Sequence, residues 1–254
     1  MTSDDVSEAP GYLRSYGRRR GKKLRPGRER LMQDLLPQIS LQPGTPIATQ
    51  VGRDKRPIWL EIGFGGGEHL AAQARAHPDV NLIGCEPFLN GVAKLLSQID
   101  ADGSQNVRIY ADDARDIFPD FAERTVDRVF VLFPDPWPKT KHHKRRLIQT
   151  DLLDHFARIL ADGGQLCIAS DHMGYIRWSL EKVLAHGAFE WVAEGPADWR
   201  HPPADWIQTR YEQKALAKGD KCVYLRFRRK RHGPRGNSGA TTGQQSLART
   251  EAGV

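Results

Sequence analysis

The 254-residue chain has only three cysteines, Cys85, Cys167 and Cys222, and none lies in a CxxC pair or near a histidine at metal-ligand spacing. This sparse count excludes a disulfide scaffold and predicts reduced thiols in core positions, as is typical of cytoplasmic proteins. The chain also lacks an apolar run near the roughly 20 residues of a membrane span. Its start, MTSDDVSEAPGYL, has no apolar signal segment. We therefore expect a cytoplasmic protein with no membrane partner and no metal.

Acidic residues are the minority charge, since 31 Asp and Glu stand against 38 Lys and Arg, giving a net charge of +7. The excess is clustered: residues 11–30 hold nine basic side chains against one acid, residues 139–146 hold five and residues 226–235 hold six. A solvated surface explains any single cluster equally well. Three clusters around one core are more typical of a surface that binds the phosphates of a nucleic acid.

Large apolar residues are nearly absent from residues 231–254, which are rich in Gly, Ser, Thr and Gln. Such a segment cannot bury enough surface to offset its ordering entropy, so we predict a disordered tail. Residues 1–36 are predicted to form a flexible basic arm that ends in a short amphipathic helix over 28–36, before Pro37. One domain is then expected over residues 37–230.

Short apolar runs alternate with amphipathic stretches in this domain. The runs predict strands over 58–62, 80–85, 107–111, 126–133, 165–170, 189–193 and 222–228. The amphipathic stretches predict helices over 68–76, 89–98, 145–160, 173–186 and 211–217. The pattern indicates an α/β fold with a doubly wound, mostly parallel seven-stranded sheet. In such a fold the ligand site lies beyond the carboxyl ends of the strands.

A glycine-rich turn, Glu61-Ile62-Gly63-Phe64-Gly65-Gly66-Gly67, follows the first predicted strand. Its glycines permit positive φ and let a ligand lie against bare backbone. Two further acids close the next strands: Glu86 is placed to accept both ribose hydroxyls of a nucleotide, and Asp113 to accept from an adenine amino group. A turn cap at Glu61 and a helix cap at Asp113 explain each acid separately, but not why all three lie at one edge of the sheet.

Two cofactors compete for this arrangement, NAD and S-adenosylmethionine. The glycine spacing is G-x-G-x-G, with Glu61 two residues before the first glycine, whereas a dinucleotide site has G-x-G-x-x-G. A carboxylate at Glu61 would repel a pyrophosphate and attract the ammonium and sulfonium of S-adenosylmethionine. S-adenosylmethionine is therefore favoured. No group of residues suited to hydride transfer supports an NAD oxidoreductase.

Residues 134–146, PDPWPKTKHHKRR, follow the fourth predicted strand. Asp135 lies between two prolines, which leave it few backbone freedoms, at the place where a methyltransferase grips its acceptor. A rigid turn with Trp137 as a plug in the core explains the same residues. The basic end of the segment suits a polyanion. His142 and His143 are adjacent, so their side chains diverge, and contact with RNA is favoured over a metal site.

These motifs resemble those of bacterial tRNA (guanine-N7)-methyltransferases, which are Rossmann-like class I S-adenosylmethionine-dependent methyltransferases. The matching segments, in order, are EIGFGGGEHL (61–70), GCEPFLNGV (84–92), DDAR (112–115), LFPDPWPKTKHHKRR (132–146), SDHMGYIRWSL (170–180) and TRYEQKALAKGDKCVYLRF (209–227). The similarity covers about residues 12–228. PDPW…KRR and TRYE are specific to the family, whereas the glycine motif is typical of all class I methyltransferases.

The resemblance implies a sheet with an antiparallel last strand, S-adenosyl-L-methionine as cofactor and tRNA as partner. The sequence leaves the oligomeric state open, with a monomer favoured. The resemblance implies that the cofactor is held by Glu61, Gly63, Gly65, Gly67, Glu86, Asp113 and Asp135, with Asp135 as the catalytic residue. It implies that the substrate is held by Lys139, Asp171, Thr209, Arg210, Tyr211 and Glu212. It also implies RNA contact by Lys141, His142, His143, Lys144, Arg145 and Arg146. The family modifies the guanosine at position 46, in the variable loop of tRNA.

The implied chemistry is consistent with these residue types. Guanine N7 carries a lone pair and no proton, so methyl transfer to it needs no general base. It needs in-line placement and compensation of the positive charge that develops on the purine. We hypothesise that Asp135 accepts from the guanine N1–H or exocyclic amine, a role that Asp171 or Glu212 could share. The arm side chains Arg18–Arg20, Lys22 and Lys23 are expected to become ordered only on RNA.

Two other functions stay open on the sequence. An amine methyltransferase could act on N6 or N4 of a base or on a protein Gln, although such enzymes usually carry D/N-P-P-aromatic rather than PDPW. A non-catalytic RNA-binding protein could use the same scaffold. The intact run of glycines and acids from Glu61 to Asp113 argues against that second alternative.

Overall fold

The computed structural model describes residues 17–52 and 55–231. The first part of the predicted arm (residues 1–16), residues 53–54 and the predicted tail from residue 232 onward lie outside the described residues.

Seven strands form one sheet in the order β3-β2-β1-β4-β5-β7-β6. The strands are β1 (Ile58–Ile62), β2 (Asn81–Cys85), β3 (Val107–Tyr110), β4 (Val126–Leu132), β5 (Leu160–Ser170), β6 (Phe189–Trp191) and β7 (Val223–Arg229). The first five pair in parallel, and β7 runs antiparallel to both β5 and β6. The predicted fold class, including the antiparallel last strand, is confirmed.

Nine helices are described along the chain. They are α1 (Pro26–Asp34), α2 (Leu36–Ile39), α3 (Ile47–Gln50), α4 (Glu68–Ala76), α5 (Leu89–Asp102), α6 (Thr150–Ile159), α7 (Met173–His186), α8 (Ala197–Arg200) and α9 (Arg210–Ala217). Short 3-10 turns lie at Ala114–Asp116, Phe118–Asp120 and Thr140–Arg145.

The helices cover both faces of the sheet, because the apolar strand residues alternate between two cores. Leu60 belongs to the core that contains residues of α6 and α7, and its neighbour Trp59 belongs to the core that contains residues of α4, α5 and α9. This alternation follows from the two-residue period of a strand. Both faces of the central strands are dry, which explains why their sequences are apolar almost without interruption.

The chain reverses its direction of travel across the sheet between β1 and β4. It runs from β1 outward to β2 and β3, and then returns to place β4 on the other side of β1. The loops after neighbouring strands separate at such a switch point and leave a crevice beyond the carboxyl ends. This crevice is the candidate site.

The structure differs from the predicted helices at two places. The stretch predicted as one helix over 145–160 is a 3-10 turn up to Arg145, then extended backbone, and α6 begins only at Thr150. The stretch predicted over 28–36 divides into α1 and α2, because Pro37 lies in the first turn of a second short helix, where a missing N–H breaks no bond.

Of the other predicted elements, β1, α4 and α7 lie at their predicted bounds, and the rest are found with shifted ends. Helix α5 continues past residue 98 to Asp102 and ends at Gly103, whose φ of 66° closes the helix in the left-handed region. Strand β5 begins five residues before its predicted start, at Leu160. The four-residue helices α3 and α8 were not predicted, since such short elements carry no periodicity.

Candidate active site

A cavity of about 440 Å³ opens beyond the carboxyl ends of β1, β2, β3 and β4. Its volume lies within the range typical of small-molecule and cofactor sites. The wall includes residues from each of these strand ends, namely Gly63 and Gly65, Cys85 and Glu86, Asp112 and Asp113, and Leu132 to Asp135. The structure therefore brings together five of the predicted cofactor residues: Gly63, Gly65, Glu86, Asp113 and Asp135.

Glu86 both lines the cavity and braces the glycine-rich turn. One carboxylate oxygen accepts from the Gly65 amide at 2.7 Å, and the other accepts from the Phe88 amide at 2.8 Å. Burial raises the pKa of Glu86, and the nearby Asp135 and Glu61 charges act in the same direction, against the two amide bonds that lower it. Each oxygen has a second lone pair, so Glu86 can still accept from a ligand hydroxyl.

The glycine-rich turn is pressed against helix α5. A Cβ added at Gly91 of that helix would lie 2.0 Å from the Gly65 carbonyl oxygen. Gly67 has a φ of 77°, and a Cβ there would lie 2.6 Å from the Leu95 side chain. Gly67 is not part of the cavity wall. Its predicted contact with the cofactor is therefore replaced by tight packing between the turn and α5.

Glu61 is buried beneath the turn and is not part of the cavity wall. Its Oε2 lies 2.7 Å from Nδ1 of the buried His69. The Gln73 amide nitrogen, a donor, lies 3.2 Å from the other His69 ring nitrogen, so that nitrogen accepts and Nδ1–H donates to Glu61. The predicted role of Glu61, direct attraction of an ammonium group, is thus not seen; its carboxylate bonds to His69.

Asp113 has the helix-capping role that the sequence left open, and it also lines the cavity. Its carboxylate accepts from the Arg115 amide at 3.1 Å and from Arg115 Nε at 2.9 Å, and it caps the 3-10 turn that follows. The neighbouring Asp112 binds Arg19 of the basic arm through two bonds of 2.8 Å. Both acids belong to the wall at the end of β3.

The loop that carries Asp135 has backbone strain on both sides of it. Phe133 has a φ of 50° and Trp137 a φ of 41°, in the left-handed region that residues with a Cβ rarely adopt. Such strain persists only where surrounding contacts hold it, and it is concentrated at functional sites. Asp135 is exposed and belongs to the cavity wall. Trp137 also lines the cavity and is partly exposed, so it is not a plug in the core.

The basic end of the loop divides into surface and interior residues. Lys139, Lys141 and Lys144 are exposed, as predicted for groups that meet RNA. His142 packs edge-on against Trp137, and His143 packs in the same way against Trp178. Arg145 is partly buried, with its guanidinium 5.0 Å from the centre of the Trp137 ring.

Arg146 differs from the prediction of a surface contact with RNA, because it is only 4% exposed. Its guanidinium donates to the Pro136 and Gly174 carbonyls and lies over the Tyr175 and Trp178 rings. The sequence does not separate Arg146 from its neighbours in the KRR run.

Thr209 and Glu212, two of the predicted substrate residues, stabilise the N-terminus of α9. They form a capping box, in which the Thr209 hydroxyl accepts from the Glu212 amide at 3.0 Å. Glu212 is buried and accepts from Trp206 Nε1 at 2.7 Å and from the Tyr224 hydroxyl at 2.6 Å. Both of its oxygens thus bond inside the protein, and direct substrate contact by Glu212 stays a prediction.

Tyr211, between these two residues, does reach the cavity. Its ring lies 3.1 Å from the position of a Cβ built on Gly65, and its side chain is 56% exposed. Partial burial and the charges of Glu86 and Asp135 raise the pKa of Tyr211. Arg210 and Asp171 are exposed, and Asp171 follows β5 directly. Tyr211, Arg210 and Asp171 can therefore meet a substrate from outside.

The basic arm contributes to the site as well, which the sequence did not indicate. Gly17 and Arg18 belong to the cavity wall. The Arg19 carbonyl accepts from the Leu89 amide at 2.9 Å, and the Asn90 side chain binds the arm backbone twice, at Gly21 and Lys22. In the structure this part of the arm lies against the start of α5. Its partners lie some 70 to 90 residues away in sequence, and no local pattern marks them.

Within residues 17–52 and 55–231, no three His, Cys, Asp or Glu side chains are placed to hold a metal ion. In the same part of the chain, no helix combines the length and apolar character needed to cross a bilayer.

The strand order, the glycine-rich turn after β1 and the acids that end β2 and β3 define a class I S-adenosylmethionine-dependent methyltransferase. S-adenosyl-L-methionine is the cofactor, and the donor set suits it. Glu86 and Asp113 offer acceptors to hydroxyl and amino groups.

Sequence comparison identifies the family within this class. A family model described as putative methyltransferase matches residues 55–225. The chain is 54% identical to the tRNA (guanine-N(7)-)-methyltransferase of Rhodospirillum rubrum, over 85% of this chain and 88% of that one. It is 47% identical to the enzyme of the same name from Ruegeria pomeroyi, over 84% and 93%. The chain belongs to the tRNA (guanine-N(7)-)-methyltransferase family.

Solved structures resemble the chain more distantly. An rRNA methylase from Streptococcus thermophilus aligns with a TM-score of 0.48 at 14% identity, over 70% of this chain and 89% of that one. The family assignment rests on the sequence relatives.

Proposed function

We propose that the protein transfers the methyl group of S-adenosyl-L-methionine to N7 of a guanosine in tRNA, and that this guanosine is position 46 in the variable loop. The observation that carries the proposal is the placement of Asp135. It lies in a strained loop on the wall of the cavity that also contains Glu86 and Asp113. The family relatives support tRNA and guanine N7 as substrate and acceptor.

Different residues of the cavity wall bind different parts of the cofactor. Glu86 accepts from the ribose hydroxyls through lone pairs that its two amide bonds leave available. Asp113 accepts from the adenine amino group, while Arg115 holds its carboxylate in place. Gly63 and Gly65 present bare backbone to the methionine part. When bound, S-adenosyl-L-methionine supplies a methyl group on a positively charged sulfur.

Asp135 orients the guanine. Its carboxylate accepts from the N1–H or the exocyclic amine, which fixes the in-plane direction of the N7 lone pair. The purine becomes positive as N7 is methylated, and the nearby negative charge of Asp135 stabilises that product. No group has to remove a proton from N7, since N7 carries none. Asp171 approaches the same base from the loop after β5, and Tyr211 approaches it from the first turn of α9.

Exposed basic side chains hold the tRNA backbone. Lys139, Lys141 and Lys144 extend from the loop beside Asp135, and Arg18 of the arm borders the same cavity. Recognition of a folded RNA rests on shape and phosphate contacts, with one exposed base in the site. We propose that the protein acts as a monomer, in the cytoplasm with its tRNA substrate.

The test is incubation of the protein with labelled S-adenosyl-L-methionine and unmodified tRNA, followed by nucleoside analysis. We expect 7-methylguanosine, and we expect it to disappear when position 46 of the tRNA is changed from guanosine to adenosine. A methylated exocyclic amine as the product would favour the amine methyltransferase instead. Cofactor binding without any product would favour an RNA-binding scaffold.

A further inference from the structure

Arg146 bonds to backbone carbonyls close to two exposed acids, Asp135 and Asp171. Its Nε donates to the Pro136 carbonyl at 2.9 Å, in the residue directly after Asp135. Its terminal nitrogen donates to the Gly174 carbonyl at 3.3 Å, three residues after Asp171. One guanidinium therefore links the loop that follows β4 to the first turn of α7, which begins two residues after Asp171.

The environment of this guanidinium is unusual for a member of a basic run. Arg146 is 4% exposed, and no ion pair of this side chain occurs within the described residues. Its charge lies 5.2 Å from the centre of the Trp178 ring and 5.8 Å from that of Tyr175. Burial lowers the pKa of Arg146. Removing a charge from water without a carboxylate partner is expensive, so the two carbonyl bonds and the ring contacts must compensate for it.

We propose that Arg146 is a positioning residue, which fixes Asp135 relative to Asp171 so that both acids meet one guanine, and is not a phosphate contact. This inference rests on the proposed function. The strained φ angles of Phe133 and Trp137 show that the Asp135 loop needs outside support. The Arg146 bond to Pro136 lies between these two residues and provides such support.

The role is specific to arginine. A guanidinium is planar and donates in several fixed directions, so a single side chain can reach two carbonyls and stack on a ring. A lysine ammonium keeps the charge and lacks that plane. Arg146→Lys therefore keeps the positive charge, and with it the attraction to a phosphate. It cannot keep both hydrogen bonds, to the Pro136 and Gly174 carbonyls.

The experiment measures single-turnover methyl transfer at saturating tRNA, and tRNA affinity over a range of salt, for the wild type, Arg146→Lys and Arg146→Met. We expect the rate of both variants to fall about 10- to 100-fold, because small displacements in a site are costly. We expect the dissociation constant for tRNA to change less than about threefold and its salt dependence to stay the same, because no phosphate contact is lost.

Lys141→Ala is the contrasting variant, because Lys141 lies in the same segment and is exposed. It should weaken tRNA binding and lower the salt slope by about 0.7 to 0.9 for the lost phosphate contact. If the Arg146 variants behave like Lys141→Ala, Arg146 contacts phosphate and the proposal is wrong.

Thermal unfolding and cofactor affinity are measured for every variant. If Arg146→Lys and Arg146→Met both lose cofactor binding or cooperative unfolding, Arg146 serves the fold as a whole and the positioning role is rejected. A wild-type protein that makes no 7-methylguanosine in tRNA refutes the proposed function instead. That outcome is visible without any variant, so the two failures are distinguishable.

Discussion

At the scale of single residues, Asp135 is the group on which the proposed chemistry depends most. Asp135→Asn keeps the shape of the side chain and removes its negative charge. We expect the single-turnover rate to fall about 100- to 1,000-fold, as when one preorganised charge-stabilising group is removed from an active site. Cofactor affinity, measured by calorimetry, should change only a few-fold, since Glu86 and Asp113 stay intact. A variant with wild-type rate would remove Asp135 from the mechanism.

Gly91 tests how tightly the glycine-rich turn is held. A Cβ at this position would lie 2.0 Å from the Gly65 carbonyl oxygen, so the turn or α5 must move. We expect Gly91→Ala to lower the free energy of unfolding by about 1–3 kcal/mol, the usual cost of overpacking. It should also weaken cofactor binding, because the Gly65 amide bonds to Glu86.

The matched control is Gly27→Ala in helix α1, where an added Cβ meets nothing within 4 Å. That change should stabilise the protein by about 0.4–1 kcal/mol through the unfolded state. Denaturant unfolding and cofactor titration measure both variants. If the Gly91 and Gly27 variants unfold alike and bind cofactor alike, the turn is not held by α5.

At the scale of elements, the start of α9 joins the sheet to the substrate side of the cavity. The capping box of Thr209 and Glu212 fixes the first turn, and Glu212 also bonds to Tyr224 of β7. Tyr211 lies in that turn, against the position of Gly65. The buried carboxylate therefore acts through the position of Tyr211 and does not have to touch the substrate.

Thr209→Ala removes the hydroxyl that accepts from the Glu212 amide. We expect the free energy of unfolding to fall by about 0.5–2 kcal/mol, the usual loss for a helix cap. Methyl transfer should slow as well, since Tyr211 loses its fixed turn. Thr209→Ser keeps the hydroxyl and should restore most of both quantities in denaturant unfolding and rate measurements. Equal losses in the Ala and Ser variants would show that the methyl group, and not the cap, is important.

At the scale of the whole molecule, the basic arm joins the RNA surface to the cofactor cavity. Deletion of residues 1–22 removes Arg18 from the cavity wall and the Arg19 bonds to Asp112. We expect weaker tRNA binding with a smaller salt slope, since phosphate contacts are lost. We also expect faster release of the cofactor in stopped-flow measurements, because the arm borders its cavity.

Asp112→Asn separates these two effects. It breaks the ion pair that holds the arm and leaves every basic side chain in place, so the salt slope of tRNA binding should persist. Cofactor release should accelerate only a few-fold at most, because an exposed ion pair contributes about 0–1 kcal/mol. Unchanged tRNA affinity and unchanged cofactor release after deletion of the arm would show that it serves neither ligand.

The predicted bounds of an element agree best with the structure where its hydrophobic pattern is continuous. β1, α4 and α7 lie at their predicted bounds, because their apolar period continues for the whole element and ends at turn residues. The disagreement is greatest after β4, where residues 145–149 were predicted as helix. There the Arg146 side chain is buried and bonds to Pro136, ten residues earlier, and to Gly174, 28 residues later, and local periodicity does not reveal such partners.

The sequence by itself determined the fold class, the edge of the sheet that holds the site and the acids Glu86, Asp113 and Asp135 on the cavity wall. Local periodicity, strand ends and glycine positions are sufficient for these. Only the tertiary structure decided which of the similar residues face the ligand. It placed Glu61 beside His69 and Glu212 beside Tyr224, and it joined Arg146 to Pro136 and to Gly174 in α7. The physical reason is that a buried polar group needs a partner, and the fold brings those partners from distant positions in the chain.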